Sequence, residues 1–439
     1  MNSERTLSKD QSVDQSVVLY PHQKQALDDT RDLTHVAYFY DMGLGKTFIG
    51  SEKTKALNRR YNLAVCQLSK VEDWVKHFSD YYHSHFDNNI FNLRNQKEMH
   101  EFIERGGVGV INYELLWRRK ILHELKDFTL MLDESSEIKS EKTKKTKCIL
   151  KLRPECVILL SGSPCGGKYE NLYAQCRMLG WDIKRWKFND RYVIYKEIDM
   201  RVGFPIPVVV GYRNVDELNQ NLRDHGARFL KTEEVFDLPK QTHIDVQVEN
   251  TKEYKRFKRD LVMEIDGKTL VGDNTLTRLL YLRQLAGAYN KNKWQAVKDL
   301  VESTDDRLII FYNFNDELAQ LQEICKEKPV SIMSGSTKDL TNYETKENAI
   351  TLVQYQAGSM GLNLQKANRI IYASPPLSSE YFEQSKKRIH RIGQDRPCFY
   401  YYLKTKESVE ENIYSTLAKR QDYTNKLFEE DFDHERKSI

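Results

Sequence analysis

The segment DMGLGKT at positions 41–47 has the residue types to hold phosphate. Gly43 and Gly45 permit a tight turn and close approach of backbone N–H groups to phosphate oxygens. Lys46 would place a point charge on the terminal phosphates, and Thr47 would offer its hydroxyl to magnesium. Tyr40 stands where the strict pattern G-x-x-x-x-G-K-[ST] has its first glycine. A second acidic strand end lies downstream, where FTLMLDESSEIKS runs from an apolar stretch into Asp133 and Glu134. A carboxylate ending a strand parallel to the phosphate-loop strand can hold magnesium, here Asp133. Glu134 beside it can orient and deprotonate an attacking water. An Asp-Glu pair on its own reads as the start of a helix, but paired with residues 41–47 it reads as a hydrolytic site.

Such groups need strands to set them on one edge. HVAYFY (35–40) precedes the glycine turn and the helix-like TFIGSEKTKAL follows it. LAVCQL (63–68), GVGVINY (107–113), FTLMLD (128–133) and CVILLSG (156–162) are further short apolar runs between polar or glycine segments. They predict buried parallel strands joined by helices. The pattern weakens over 181–245 and resumes with RLIIFY (307–312), PVSIM (329–333), AITLVQY (349–355) and NRIIYAS (368–374). A helical stretch is expected near 277–288. The reading is α/β, with two tandem units, each a mostly parallel sheet flanked by helices, and helical insertions. The expected organisation is a disordered arm over 1–16, an N-terminal lobe over 17–240 and a C-terminal lobe over 241–439.

Composition narrows the classes. Hydrophobic residues at 40% and charged residues at 30% give a globular chain with material for real cores. No apolar run approaches the roughly 18 residues that cross a bilayer. The polar start MNSERTLSKDQSVDQS lacks the apolar stretch of a secretory leader, so a reducing interior is expected. Seven scattered cysteines form no CxxC pair. Cys165 reads as an incidental thiol, and His77, His83 and His85 as solvated histidines without a fourth zinc ligand. Net charge is only +4, but residues 139–153 carry seven basic groups against one acid.

In order along the chain, these motifs resemble the superfamily-two helicase ATPases, and specifically the Swi/Snf-type family of double-stranded DNA translocases. LYPHQKQAL (19–27) resembles the family's first motif, in which Gln23 would read the adenine. CQLSKVEDW (66–74), VINYELL (110–116) and DESSEIKS (133–140) resemble the motifs that follow, and LLSGSPCGGKYENLY (159–173) the one that couples hydrolysis to movement through Ser161, Gly162 and Ser163. In the second half, IIFYNFNDEL (309–318) and MSGS (333–336) resemble motifs that grip a DNA backbone. AGSMGLNLQKANRII (357–371) resembles a glycine-led motif near the phosphates, with Gly361. YFEQSKKRIHRIGQDRP (381–397) resembles the family's most discriminating motif, with Gln384 in coupling and Arg388 and Arg391 as two candidate arginine fingers. Ser136 departs from the family, which usually has histidine there.

The resemblance implies two RecA-like lobes, ATP with magnesium as ligands, and ATP hydrolysis coupled to travel along double-stranded DNA without obligatory strand separation. Lys46 and Glu134 would be catalytic with Arg388 and Arg391. Lys70, Trp74, Ser334, Gly335 and Asn363 are the implied DNA contacts. A monomeric motor without membrane association is expected, with little chain beyond it. That fits a bacterial or phage protein in the cytoplasm, or a nuclear one in a eukaryote. Two alternatives stand: a strand-separating DNA or RNA helicase, and a nucleotide-gated DNA-binding module that hydrolyses slowly.

Overall fold

A computed structural model describes residues 14–198, 206–265, 267–358 and 362–429. The chain divides into two compact units. One runs to Leu230, and the other holds Lys231 onward together with Gly166–Lys168. Of the arm expected over 1–16, residues 1–13 lie outside the described residues, while Gln15 donates its backbone N–H to the Asp80 carbonyl at 2.9 Å.

The first unit is built on seven strands: β1 (His35–Tyr40), β2 (Tyr61–Cys66), β3 (Ile90–Asn92), β4 (Gly107–Asn112), β5 (Phe128–Asp133), β6 (Cys156–Leu160) and β9 (Ala227–Leu230). They are ordered β3-β4-β2-β5-β6-β1-β9 and every pairing is parallel. A parallel strand covered on both faces must be apolar along its whole length. Val36–Phe39, Val157–Leu160 and Leu130–Leu132 meet this requirement and are buried. Because the strands are parallel, the segments leaving β1, β2, β4, β5 and β6 all emerge at one edge of the sheet. Residues 41–46, 67–70, 113–116, 134–138 and 161–165 are therefore brought there by topology alone.

Between β6 and β9 lies the stretch where the apolar pattern faded. Besides helices it carries an antiparallel ribbon, β7 (Val193–Ile198) with β8 (Ile206–Tyr212), whose register shifts at Ile194/Tyr195. The insertions are thus not helical alone. β8 carries the apolar run Val208–Val210, but a two-stranded ribbon buries little, and Val208 and Val210 stay exposed.

The second unit contains β10 (Gln241–Val248), β13 (Leu308–Tyr312), β14 (Val330–Met333), β15 (Lys338–Asp339), β16 (Ile350–Gln354), β17 (Arg369–Tyr372) and β18 (Cys398–Thr405). Their order is β10-β18-β17-β13-β16-β14-β15, parallel except for β15. A second ribbon, β11 (Val262–Ile265) with β12 (Lys268–Val271), packs Met263 and Leu270 against Phe257 and Leu285. The helix expected near 277–288 is Thr275–Ala286. The C-terminal helix Val409–Glu429 is tied into this unit by a buried ion pair, in which Lys293 Nζ bonds Glu410 Oε2 at 2.6 Å.

In the first unit the helix Val71–Tyr81 turns Val71, Trp74 and Phe78 inward, a spacing that shares one face. His77 lies beside them. Its Nε2 is 3.0 Å from Ser51 Oγ, and its ring meets Phe48, Trp74 and Tyr81 edge-on or tilted. It is a packed ring, not the solvated histidine expected. Burial pulls its pKa down to about 4. The unfolded chain binds this proton near pH 6.5 and the folded one does not, so folding weakens as pH falls from 6.5 toward 4. Urea midpoints across that range should show His77→Gln losing on the order of 3 kcal/mol less than the parent.

Candidate nucleotide and nucleic-acid site

The phosphate loop leaves β1 at Tyr40 and enters the helix Lys46–Leu57 through Gly45, which has φ +72°. A Cβ on Gly45 would collide with the Gln23 amide, so the left-handed backbone and the tight packing both require glycine. Gln23 is buried and donates Nε2 to the carbonyls of Leu44 at 3.2 Å and Gly45 at 3.4 Å. Its Oε1 accepts the Tyr20 N–H at 2.8 Å. The glutamine amide thus braces the loop itself. Lys46 donates Nζ to the carbonyls of Tyr40 at 2.7 Å and Asp41 at 3.0 Å, holding its charge across the loop mouth. Gly43 is exposed on the loop, and Thr47 is half-buried in the first helical turn.

Asp133 ends β5, at the same edge of the sheet. Its Oδ2 accepts Trp74 Nε1–H at 2.8 Å. Burial pushes this carboxyl above the usual carboxylate range, against the Trp74 bond and the charges of Lys46 and Lys70. Trp74, expected at a nucleic-acid face, is only 4% exposed. The indole is spent on the carboxylate and on stacking with Phe78 at 5.6 Å. Lys70 pairs with Asp73 at 2.8 Å. Glu134 adopts a left-handed backbone, φ 51° and ψ 59°. Non-glycine residues visit that region rarely, and they cluster at functional positions when they do. Tyr113 Oη donates to the carbonyls of Asp133 at 2.9 Å and Glu134 at 3.5 Å.

After β6 the chain runs through Ser161, Gly162 and Ser163. Ser161 Oγ accepts the Ser163 N–H at 3.2 Å. A Cβ on Gly162 would stand 3.5 Å from Lys46 Nζ, so this strand end passes directly by the lysine. Tyr113 and Gln175 were not singled out by sequence. Tyr113 carries the weak signal of sitting just past a strand. Gln175, which bonds both Ser135 and Pro164, carries none.

The second unit holds the remaining expected residues. Ser334 is buried in a tight turn, its Oγ accepting the Thr337 N–H at 3.0 Å. Gly335 is exposed, with its N–H on Gln354 Oε1 at 3.3 Å, and Gln354 Nε2 reaches the Asn313 carbonyl at 3.3 Å. Asn363 is exposed. Gly361 lies outside the described residues. Gln384, in the helix Ser379–Lys386, is buried, and its Oε1 accepts no hydrogen bond among the described residues. Arg388 is 1% exposed; its guanidinium donates to the Leu362 carbonyl at 3.2 Å, and its backbone carbonyl accepts the Leu364 N–H at 3.1 Å. His390 bonds the Pro239 carbonyl at 2.9 Å. Arg391 contrasts with both: it is half-buried, and desolvation pulls its pKa down. The structure therefore separates the two arginines, leaving Arg391 the more accessible and Arg388 bonded into the 362–364 segment.

No group of three His, Cys, Asp or Glu side chains among the described residues could hold a metal ion. The Asp133 carboxylate and the Thr47 hydroxyl are the hard oxygen donors expected from the sequence. Such a set fits magnesium, which keeps most of its waters and shares phosphate oxygens, and not zinc.

Two parallel-sheet units, the first carrying a phosphate loop and an Asp-Glu box at one edge, are the make-up of a helicase-like protein. The comparison with known families agrees. Residues 37–292 match the SNF2-related domain and residues 292–393 the helicase conserved C-terminal domain. The chain belongs to the SNF2-related family of helicase-like ATPases. Among relatives, it is 22% identical to an uncharacterised ATP-dependent helicase of Mycoplasma genitalium, over 89% of this chain and 40% of that one. It is 23% identical to a Caenorhabditis elegans homologue of SWI/SNF-related matrix-associated actin-dependent regulator of chromatin subfamily A-like protein 1, over 92% and 61%. It is 22% identical to chromodomain-helicase-DNA-binding protein 1-like of Danio rerio, over 89% and 41%. The chain thus spans between two-fifths and three-fifths of these relatives. A solved structure of the Sulfolobus solfataricus SWI2/SNF2 ATPase core in complex with dsDNA aligns at TM-score 0.45 and 20% identity, over 94% of each chain. No helix among the described residues is long and apolar enough to cross a membrane.

The Trp74–Asp133 bond gives a direct test. Trp74→Phe keeps the ring stack and removes the donor, leaving a half-buried carboxylate oxygen without its indole partner. Urea unfolding should show a loss of about 1–3 kcal/mol.

Proposed function

We propose that this chain is a DNA-dependent ATPase that converts ATP hydrolysis into travel along double-stranded DNA. The observation that carries the nucleic-acid part is a basic, aromatic surface beside the hydrolytic edge. Trp117 follows the short helix Tyr113–Leu116 that leaves β4, with Arg118 5.0 Å and Lys144 4.8 Å from its ring centroid. Arg118, Lys120, Lys142 and Lys144 are exposed. None of these four forms an ion pair among the described residues, whereas Lys145 is taken up by Glu137 and Glu114. Unpaired cations around an indole suit a phosphate backbone, whatever its sequence. The names of the relatives, which mention DNA binding and chromatin, support the same partner.

In this reading the loop 41–46 cradles the triphosphate and Lys46 turns from its carbonyls to the terminal phosphates. Asp133 and Thr47 would hold magnesium, which when bound neutralises charge on the phosphate oxygens. Glu134 takes the proton of the attacking water. Arg391 is the arginine that meets the developing charge. Arg388 holds the segment 362–364, with Asn363 facing outward as a DNA contact alongside Gly335 and Lys70. Ser161, Gly162, Ser163 and Gln384 couple hydrolysis to movement.

Steady-state ATPase assays with no nucleic acid, duplex DNA, single-stranded DNA and RNA test the reading. Duplex should stimulate most, and Lys46→Ala and Arg391→Ala should each cut the stimulated rate by about 10³. Lys142→Glu with Lys144→Glu should raise the duplex concentration for half-maximal stimulation and flatten its salt dependence. Stimulation chiefly by single strands or RNA would transfer the chain to the strand-separating class. Tight duplex binding with negligible turnover would make it a nucleotide-gated binding module.

A further inference from the structure

We infer that Gln175 is a positioning residue for hydrolysis, holding the Glu134 turn at a fixed place relative to the phosphate loop through one amide that bonds both Ser135 and Pro164. The inference rests on Glu134 being the base that activates water.

Gln175 lies in the helix Tyr173–Met178 and is fully buried, as is Ser135. Ser135 Oγ donates to Gln175 Oε1 at 2.8 Å, and Gln175 Nε2 donates to the Pro164 carbonyl at 2.7 Å. The amide can sit only one way round. A carbonyl oxygen only accepts, so the NH₂ end must face Pro164 and the oxygen must face the serine hydroxyl. Neither contact is replaceable by water, because both ends are dry.

The two segments it joins are the ones that matter. Ser135 follows Glu134, whose left-handed backbone needs support from its neighbours. Tyr113 and Trp74 hold the Asp133 side of that turn. On the other side, Ser135 accepts its fixed position from Gln175. Pro164 ends the stretch 161–164 that passes the Lys46 ammonium at Gly162. One side chain therefore sets the distance between the residue that would activate water and the lysine that would hold the phosphate. Reaction geometry of this kind is demanding: a shift of about 1 Å can cost about 10²-fold in rate.

The test is a double-mutant cycle on ATP turnover, run with and without duplex DNA, using Ser135→Ala, Gln175→Leu and the pair, with Glu134→Gln as reference. Gln175→Leu should lower kcat by about 10- to 10²-fold while KM for ATP stays within about twofold. Ser135→Ala should lower kcat in the same way, and the pair should lose no more than the worse single variant. Melting temperatures fix an assay temperature at which every variant is folded. If Gln175→Leu does not fold, Ser135→Ala decides alone. A kcat within twofold of the parent, losses that multiply in the pair, or a loss confined to KM would each overturn the inference. The reading beneath it fails separately: Glu134→Gln retaining full turnover would remove the base, and absence of duplex stimulation in the parent would remove the DNA partner while the DNA-free cycle still reads the bridge.

Discussion

A carboxylate partly withdrawn from water at a strand end is the constraint on which the first unit turns. Asp133 has to stay charged at the end of a fully covered strand, where burial works against the charge. The protein answers with a donor, the Trp74 indole, and with the fields of Lys46 and Lys70. Lys46 comes from the segment that leaves β1, and Trp74 and Lys70 from the one that leaves β2. The parallel order is what allows it, since a single antiparallel neighbour would send one of those groups to the far edge. The amphipathic helix 71–81 and the aromatic packing around His77 follow from the need to place that indole.

The second unit uses its parallel sheet in the same way, but spends its polar side chains on backbone. Ser334, Gln354, Asn313 and Arg388 each satisfy a main-chain group in a segment next to a strand end, Asn313 by donating Nδ2 to the Pro375 carbonyl. Arg391 carries its charge beyond that scaffolding. A desolvated guanidinium favours an anion strongly when one arrives, because little water has to be displaced.

Much of this was legible in the sequence, for a definite reason. A strand buried on both faces must be an unbroken apolar run, so HVAYFY, FTLMLD and CVILLSG could be read directly, and the ends of β1 and β5 were placed to the residue. β18, with three tyrosines in CFYYYLKT, and β12 lack that signature, and the valine run of β8 stays exposed; none of the three was read from the sequence. The residues that do chemistry were legible because their types are demanded by the chemistry. The residues that hold them were not. Trp74 reaches a partner 59 positions away and Gln175 one 40 positions away, and no local pattern encodes such a bond. Trp74 shows the cost of reading a motif without its fold: the residue was noticed, but its indole faces inward.

The pairing of Lys293 with Glu410 has a consequence for the integrity of the chain. Both groups are removed from water, and they neutralise each other from helices more than a hundred positions apart. Cleavage anywhere between β18 and Glu410 would threaten to leave a fully buried ammonium without its carboxylate. An isolated buried charge is far costlier than a lost contact. The last helix is thus a keystone and not a tail: a protease that clips it would not shorten the second unit but unseat it.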